Sequence, residues 1–432
     1  MLGLFLILPV FAVYARQLQG HSAFLVGVAL GIYGLTQAVL QIPLGMLSDR
    51  VGRKPVIVGG LLVFCLGSIM AATADSLGGV IVGRALQGAG AIAAAVIALL
   101  ADLTRDEQRT KAMLLLGITI GGSFVASLLL GPVLDRAIGV RGIFWLTAML
   151  ALMAVALLIA TVPTPVRRGH HLDTQPIPAQ FLDVLYHREL LRLNLGILVL
   201  HGVLTALFVV VPIALLEHGG LPLHQHWRVY LPAMLLSLLI VFPAISLGER
   251  KRKVRHILLG AGCVLLVSQG LLFQAHQSLP ELAVALFLFF VGFNTLEGML
   301  PSLVSKIAPV ESKGTAIGVY STFEFLGVFV GGAVGGWLHG QYGIAGVFLF
   351  AAALLILWLA VAWGMREPQQ VKTRLLHVGR QRPDRARELA AELEAVGGVT
   401  EATVIPEEGV AYLKVVAEEL DEESLQRFGS TS

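Results

Sequence analysis

Charge is scarce in this sequence. Asp, Glu, Lys and Arg together supply 14% of 432 residues, where ordinary soluble domains carry about a quarter. A chain so poor in charge is ill suited to solvating a large soluble fold, and its mean hydropathy of +0.80 points the same way. Cysteine is nearly absent, with Cys65 and Cys263 the whole complement. Two thiols in separate apolar runs exclude a disulfide framework and a thiolate metal centre. They read as small buried apolar residues. No Gly-x-Ser-x-Gly, His-Glu-x-x-His or Walker-type glycine loop occurs, so the common signatures of hydrolases, zinc proteases and ATP-driven machines are missing. Neither an enzyme nor a cofactor or metal is expected.

What is present is apolar sequence in long runs. Hydrophobic residues make up 56% of the chain and glycines number 48; Gly is commoner in membrane helices than in soluble ones. A spanning helix needs about 20 predominantly apolar residues. Twelve stretches are candidates, numbered helix 1 to helix 12 in chain order: 2–16, 24–47, 55–74, 78–102, 111–134, 142–162, 190–216, 227–248, 255–275, 280–306, 313–338 and 344–364. The expected fold is an all-α membrane protein of twelve transmembrane helices, followed by a small α+β domain. Helix 1 is short because the chain begins almost inside it, which suggests a missing N-terminal stretch. A cleaved signal peptide is the rival reading, weakened because Met1-Leu2-Gly3-Leu4 lacks a basic n-region.

Lys and Arg set the orientation. With both ends cytoplasmic, the inner loops hold seventeen of them and the outer loops only Arg16, Arg136, Arg141 and Arg228. That is a strong positive-inside bias, and it points to a multi-pass membrane protein with both ends cytoplasmic. Residues 366–432 carry nine basic and thirteen acidic side chains, so the tail is acidic and the membrane part basic. The basic residues flank membrane helices, which argues against nucleic acid as a partner.

The chain repeats itself. At an offset of 204, Glu107 falls on Glu311, Arg109 on Lys313, Ala112 on Ala316, Gly131 on Gly335, Gly139 on Gly343, Gly142 on Gly346 and Phe144 on Phe348. Near offset 200, Asp49-Arg50 echoes Glu249-Arg250. Two six-helix halves in the same order form a parallel repeat, the arrangement of transporters with a central site between rocking bundles. The expected divisions are an N-terminal bundle at 1–162, a linker at 163–189 rich in Pro and charge, a C-terminal bundle at 190–365 and a tail at 366–432.

Four charges crowd into the link between helices 2 and 3, within Gly45-x-x-x-Asp49-Arg50-x-Gly52-Arg53-Lys54. Asp49 ends helix 2, where a carboxylate is poorly placed against its own helix C-terminus and well placed against another helix's N-terminus. Arg53 is in reach of Asp102 at the inner end of helix 4. The loop matches the signature of the major facilitator superfamily at every fixed position. Arg84-x-x-Gln87-Gly88-x-Gly90 resembles the superfamily's helix-4 motif. The helix-5 motif of its proton-linked antiporters is only partly present, since Gly131-Pro132 is followed by Asp135-Arg136 where two glycines are expected. The resemblance covers about residues 1–365, and with its tail the whole chain is most similar to the YajR-type branch. It implies that Asp49 faces the start of helix 11 and latches the two halves on the cytoplasmic side, with Gly45, Arg50, Gly52, Arg53, Lys54 and Asp102 completing the latch. The bland alternative is that these charges only set topology.

Ionisable groups inside a membrane helix are costly and usually face a cavity or a partner. Arg84, Glu324, Glu297 and His201 qualify as proton-coupling candidates. The resemblance links Arg84 to proton movement; the alternative is an Arg satisfied by carbonyls and Gln87. Glu324 shares a face with Gly327, Gly331 and Gly335 at helical spacing, and is either a protonatable carboxylate in a cavity or a packed anchor. Glu297 could instead brace helix 10. His201 has the side chain whose charge changes near neutral pH, although a lone helical His is commonly a packing residue. Gln37, Gln41, Gln87, Asn194, Gln269 and Asn294 are candidate cavity contacts or helix-to-helix glue.

The tail reads as a strand at 371–378, a helix capped by Asp384, strands at 399–405 and 410–416 joined by a Pro406-Glu407-Glu408-Gly409 turn, and a short helix from Asp421. The βαββα order is ferredoxin-like, with the last strand absent before Ser432. Lacking cysteine, the tail offers no thiolate copper site. It is a module for self-association, for an unknown cytoplasmic ligand, or for solubility alone. The expected function is secondary transport of a small molecule, with proton-coupled export of a drug or metabolite preferred. Uniport or import on the same fold, or a membrane sensor with the tail as output, are the alternatives.

Overall fold

The computed structural model describes residues 2–104, 106–164, 180–309, 312–367, 371–379, 381–406, 409–416 and 419–428. Most of the expected linker, together with Arg105, Glu311 and Glu407-Glu408, lies outside the described residues.

Among the described residues, nine helices are long and apolar enough to cross a membrane. Two of them are double. Asp106–Thr161 joins helices 5 and 6 through Gly139, and Lys313–Ala362 joins helices 11 and 12 through Gly343. Both glycines have positive φ, 68° and 69°. Three residues on, a Cβ on Gly142 would lie 2.6 Å from Ile138 Cβ, and one on Gly346 would lie 2.6 Å from Tyr342 Cβ. The corner is thus built twice, 204 residues apart, and needs no loop. The remaining spans are Ala23–Val51, Arg53–Thr73, Leu77–Asp102, Arg188–Glu217, Leu223–Arg250, Val254–Gln274 and Leu279–Ile307.

Two helices are broken where the sequence reads as continuous. Helix 1 consists of Leu2–Phe5 and Leu8–Tyr14, with Pro9 near the restart. Proline suits a first helical turn because its missing N–H would be unsatisfied there anyway. Helix 4 consists of Leu77–Ala89 and Ala93–Asp102. The break falls at Gly90, where a Cβ would lie 3.2 Å from the Phe64 side chain on helix 3. Helix starts on one side carry side-chain caps: Ser22 accepts from Leu25 N at 3.2 Å, Ser76 accepts from Gly79 N at 3.2 Å, and Ser278 forms a reciprocal capping box with Glu281.

These starts, with the Gly139 and Gly343 corners, lie on what is here termed the far face. The basic face carries the 2–3 and 8–9 connections, the ends of helices 4 and 10, and the start of helix 11. On that face the two halves use a similar device. The backbone turns through positive φ at Gly52 (119°) in the first half and at Arg252 (53°) in the second. Lys306 at the end of helix 10 pairs with Glu249 at the end of helix 8, 2.9 Å apart, as Arg53 pairs with Asp102 in the first half.

Glycine rows bring the bundles together. On helix 11, Gly332 and Gly336 face helix 2: a Cβ on Gly332 would sit 2.5 Å from the Gly27 carbonyl oxygen, and one on Gly336 2.5 Å from that of Ala23. A second row, Gly327, Gly331 and Gly335, faces Leu198, Gly202 and Ala206 of helix 7. Small residues let backbones approach, and in lipid, close packing is the main attraction between helices. Helix 7 is buried on nearly every side from Val199 to Leu215.

The tail forms an antiparallel sheet of order β1-β3-β2, with β1 Val371–His377, β2 Val399–Ile405 and β3 Val410–Val416. A helix, Pro383–Glu394, lies between β1 and β2, and a short one, Glu422–Gln426, follows β3. Asp421 caps the short helix by accepting from Ser424 N at 3.1 Å. Asp384 is not the cap of its helix; it lies in the first turn after Arg382. One sheet face packs Ala411, Leu413 and Val415 on Leu389 and Leu393. On the other face Tyr412 and Lys414 are buried as well. Lys414 Nζ donates to the Ala308 carbonyl just beyond helix 10, at 2.5 Å, and pairs with Glu401 at 2.8 Å. The tail is therefore seated on the basic face.

Candidate functional site

Three of the four intramembrane candidates meet. His201 lies 13 residues into helix 7 and Glu324 lies 11 into helix 11, so each is roughly 16–20 Å from the basic-face end at 1.5 Å per residue. His201 Nε2 is 3.6 Å from Glu324 Oε1. Glu297 on helix 10 is near enough for its charge to act on Glu324 and on the Tyr320 phenol. Glu297 Oε2, Tyr320 Oη and His201 Nδ1 are buried and lack a hydrogen-bond partner among the described residues. A buried polar group without a partner carries a desolvation cost.

Rings enclose this cluster from both halves. His201 and Phe293 are 6.0 Å apart between centroids, Phe293 and Phe124 6.1 Å, and Phe325 and Tyr33 6.4 Å. Phe124 and Tyr33 belong to the first bundle. An imidazole and two carboxylates, from helices 7, 11 and 10, are thus set among aromatic rings contributed by both bundles.

Arg84 adjoins these rings at Tyr33. Its guanidinium donates to Gln87 Oε1 at 2.9 Å and to the helix-2 carbonyls of Ala29 and Leu30 at 3.3 and 3.5 Å, and lies 5.1 Å from the Tyr33 ring centroid. Among the described residues it has no carboxylate partner. Gln87 passes the network on to Ser68 Oγ at 2.7 Å. The Tyr33 ring thus lies between the Arg84 guanidinium of the first half and Phe325, the residue after Glu324, in the second.

The polar candidates divide. Gln41 donates to the Gly318 carbonyl at 3.3 Å and ties helix 2 to helix 11. Asn294 donates to Ser237 Oγ at 2.8 Å. Gln37 Oε1 and both side-chain polar atoms of Asn194 and of Gln269 are buried without partners. Neither Asn194 nor Gln269 bonds to the cluster. Sequence reading missed Tyr33, Tyr320 and Phe293. A signal existed, since each sits four residues before a singled-out position, Gln37, Glu324 and Glu297, and hence on the same helix face.

The basic-face loop forms a second constellation. Arg53 is buried and ion-pairs with Asp49; it also donates Nε to Asp102 Oδ2 at 3.1 Å and Nη1 to Ser48 Oγ at 2.8 Å. Lys54 Nζ reaches the Val162 carbonyl at 2.7 Å, tying helix 3 to the end of helix 6. A Cβ stands ready on Ala94, 3.2 Å from where Gly45 would carry one. Arg50 is exposed.

At the far face a pair absent from the sequence reading joins the halves. Arg16 Nη1 at the end of helix 1 lies 2.5 Å from Glu217 Oε1 at the end of helix 7. Separation along the chain is 201 residues, too far for sequence alone to propose it.

Comparison with known proteins agrees with this architecture. The sequence profile of the Major Facilitator Superfamily matches residues 1–332 and 302–391. The inner membrane transport protein YajR of Escherichia coli (strain K12) is 45% identical over 415 residues, covering 96% of this chain and 91% of that one. The multidrug resistance protein MdtH of Aeromonas salmonicida (strain A449) is 27% identical over 395 residues, covering 87% and 95%. Among solved structures, the human organic anion transporter MFSD10 (TETRAN) superposes with a TM-score of 0.60 at 18% identity, covering 84% and 95%. Likeness at that identity speaks for the fold alone.

Proposed function

The chain belongs to the major facilitator superfamily, and from that premise we propose that it exports a small molecule across a bacterial inner membrane in exchange for protons. Membership makes it a transporter, not an enzyme. Export, proton coupling and the placing of both chain ends in the cytoplasm are the proposed parts. The observation that carries the coupling is the approach of His201 Nε2 to Glu324 Oε1, 3.6 Å apart beside Glu297. A carboxylate and an imidazole in contact share protons according to which bundle arrangement surrounds them. Among the described residues no Lys or Arg pairs with Glu324, and Arg84 gives its hydrogen bonds to Gln87 and helix-2 carbonyls. Glu324 is thus free to trade a proton against a substrate.

The relatives support the direction. MdtH is named for multidrug resistance, and aromatic walls such as Phe293 and Phe124 suit compounds with apolar bodies. In the cycle proposed here, the far face closes through Arg16–Glu217 and the helix 2–11 glycine rows. The basic face closes through Asp49 against the start of helix 11. The positive-inside bias supports a cytoplasmic basic face, and with it a tail docked in the cytoplasm. The tail's βαββα order supports a ferredoxin-like module there.

The test is flux in reconstituted vesicles with a pH dye inside, with compounds screened against wild type, Glu324→Gln and Arg84→Ala. Compound-dependent proton flux that is lost in Glu324→Gln supports the reading. Compound movement with no proton flux, unaffected by Glu324→Gln, would make the protein a uniporter and leave the cluster to packing.

A further inference from the structure

Apart from the central cluster, the far face holds a cavity of about 450 Å³, inside the range of small-molecule sites. Its walls come from three places in the fold. Tyr14 and Leu18 come from the end of helix 1, Asp135, Ile138 and Arg141 from the corner at Gly139, and Leu223 from the connection between helices 7 and 8. The cavity therefore spans both bundles. Its charges are not balanced among themselves. Arg141 is already matched: it pairs with Asp75 at 2.7 Å and donates to Tyr14 Oη and the Ala74 carbonyl, each at 3.3 Å. Asp135 is partly buried, and among the described residues it has neither a hydrogen bond nor an ion pair. Arg136 is the next residue along the same helix and is not among the residues that line the cavity. What remains is one carboxylate with no counter-ion among the described residues, beside the Gln17 amide, the Tyr14 phenol, the matched Arg141 and apolar side chains.

We infer that this cavity is a binding site for a small organic monocation. Its amine or ring nitrogen meets the Asp135 carboxylate, and its apolar body lies against Leu18, Ile138, Leu223 and the Tyr14 ring. A carboxylate partly withdrawn from water gains more from such a partner than an exposed one, and aromatic faces attract cations. Because Leu223 belongs to the second half and the other walls to the first, an occupant bridges the bundles beside Arg16–Glu217 and favours the arrangement in which the far face is closed. The site is separate from the His201–Glu324 cluster and does not depend on proton coupling.

The experiment uses the purified full chain in detergent, free of added lipid, and ethidium as a fluorescent organic monocation. Anisotropy is titrated for wild type, Asp135→Asn, Leu223→Trp and Glu324→Gln, each checked for an unchanged unfolding midpoint. The site predicts saturable binding to wild type, a loss of tenfold or more in affinity with Asp135→Asn, which removes the charge, and with Leu223→Trp, which fills the space. Each far-face variant loses the same factor in a Glu324→Gln background, so any binding at the central cluster does not enter the comparison. Wild-type binding that fails to saturate overturns the inference. So does unaltered affinity in either far-face variant, or a loss confined to Glu324→Gln, which would put the cation at the central cluster. Proton flux in vesicles reads the coupling proposal independently, so the two can fail separately.

Discussion

Gly139 and Gly343 stand 204 residues apart and hold the same backbone conformation, φ 68° with ψ 170° and φ 69° with ψ −165°. That region of φ/ψ space is essentially open only to glycine. At neither position would a Cβ meet any atom within 4 Å, so a substitution there is penalised by the backbone alone. Gly139→Ala and Gly343→Ala should each lose about 1–3 kcal/mol of stability, by nearly equal amounts. Thermal unfolding in detergent reads this directly, and a cost at only one corner would mean that the two halves are not equivalent structures.

This pair also shows what could be read in advance. The repeat at offset 204 was legible because a corner that only glycine can make leaves a residue identity behind. The depth of His201, Glu297 and Glu324 was legible by counting along their helices. Their meeting was not, because the rotation of a membrane helix about its axis is set by its neighbours. The same limit hid the division of labour on helix 11, where one glycine row faces helix 7 and another, one residue out of step, faces helix 2. The breaks at Ile7 and Gly90 were invisible because apolar composition is continuous across them.

The Arg53 constellation separates stability from turnover. Arg53 and Asp102 side chains are 3% and 0% exposed. Removing one partner of a buried pair costs about 3–5 kcal/mol, and Arg53 keeps Asp49 and Ser48, so Asp102→Asn should fall at the lower end, about 3 kcal/mol. Asp49 is less buried, and Asp49→Asn should slow transport with little change in unfolding midpoint and normal membrane insertion. Unchanged transport kinetics in Asp49→Asn would leave the charges of this loop to topology.

At the far face, Arg16 and Glu217 are 39% and 44% exposed. An exposed pair contributes under about 1 kcal/mol, hence at most about a fivefold shift in the balance between open and closed arrangements. Glu217→Arg should change transport by that modest factor, and adding Arg16→Glu should restore it. Failure of the double reversal to recover wild-type rates would show that the two residues act separately.

On the tail, Lys414 is 7% exposed and bonds to a main-chain carbonyl of the membrane part. Lys414→Met keeps much of the packing stem and removes the donor. Limited proteolysis should then cut the chain between helix 12 and β1 faster, by severalfold, while the tail's own sheet stays intact. An unchanged cutting rate would show that this bond does not hold the tail in place.

The seat of the tail lies on Ala308, five residues before helix 11 begins at Lys313. Helix 11 carries Glu324 and both glycine rows, so docking and gating share one short stretch of chain. Two events that bias one element obey reciprocity. If release of the tail changes the affinity for a transported compound by some factor, binding of that compound must change the tail's docking by the same factor. The soluble domain is then a reporter as well as a possible regulator, and a fluorophore on it would register substrate binding with no flux across any membrane.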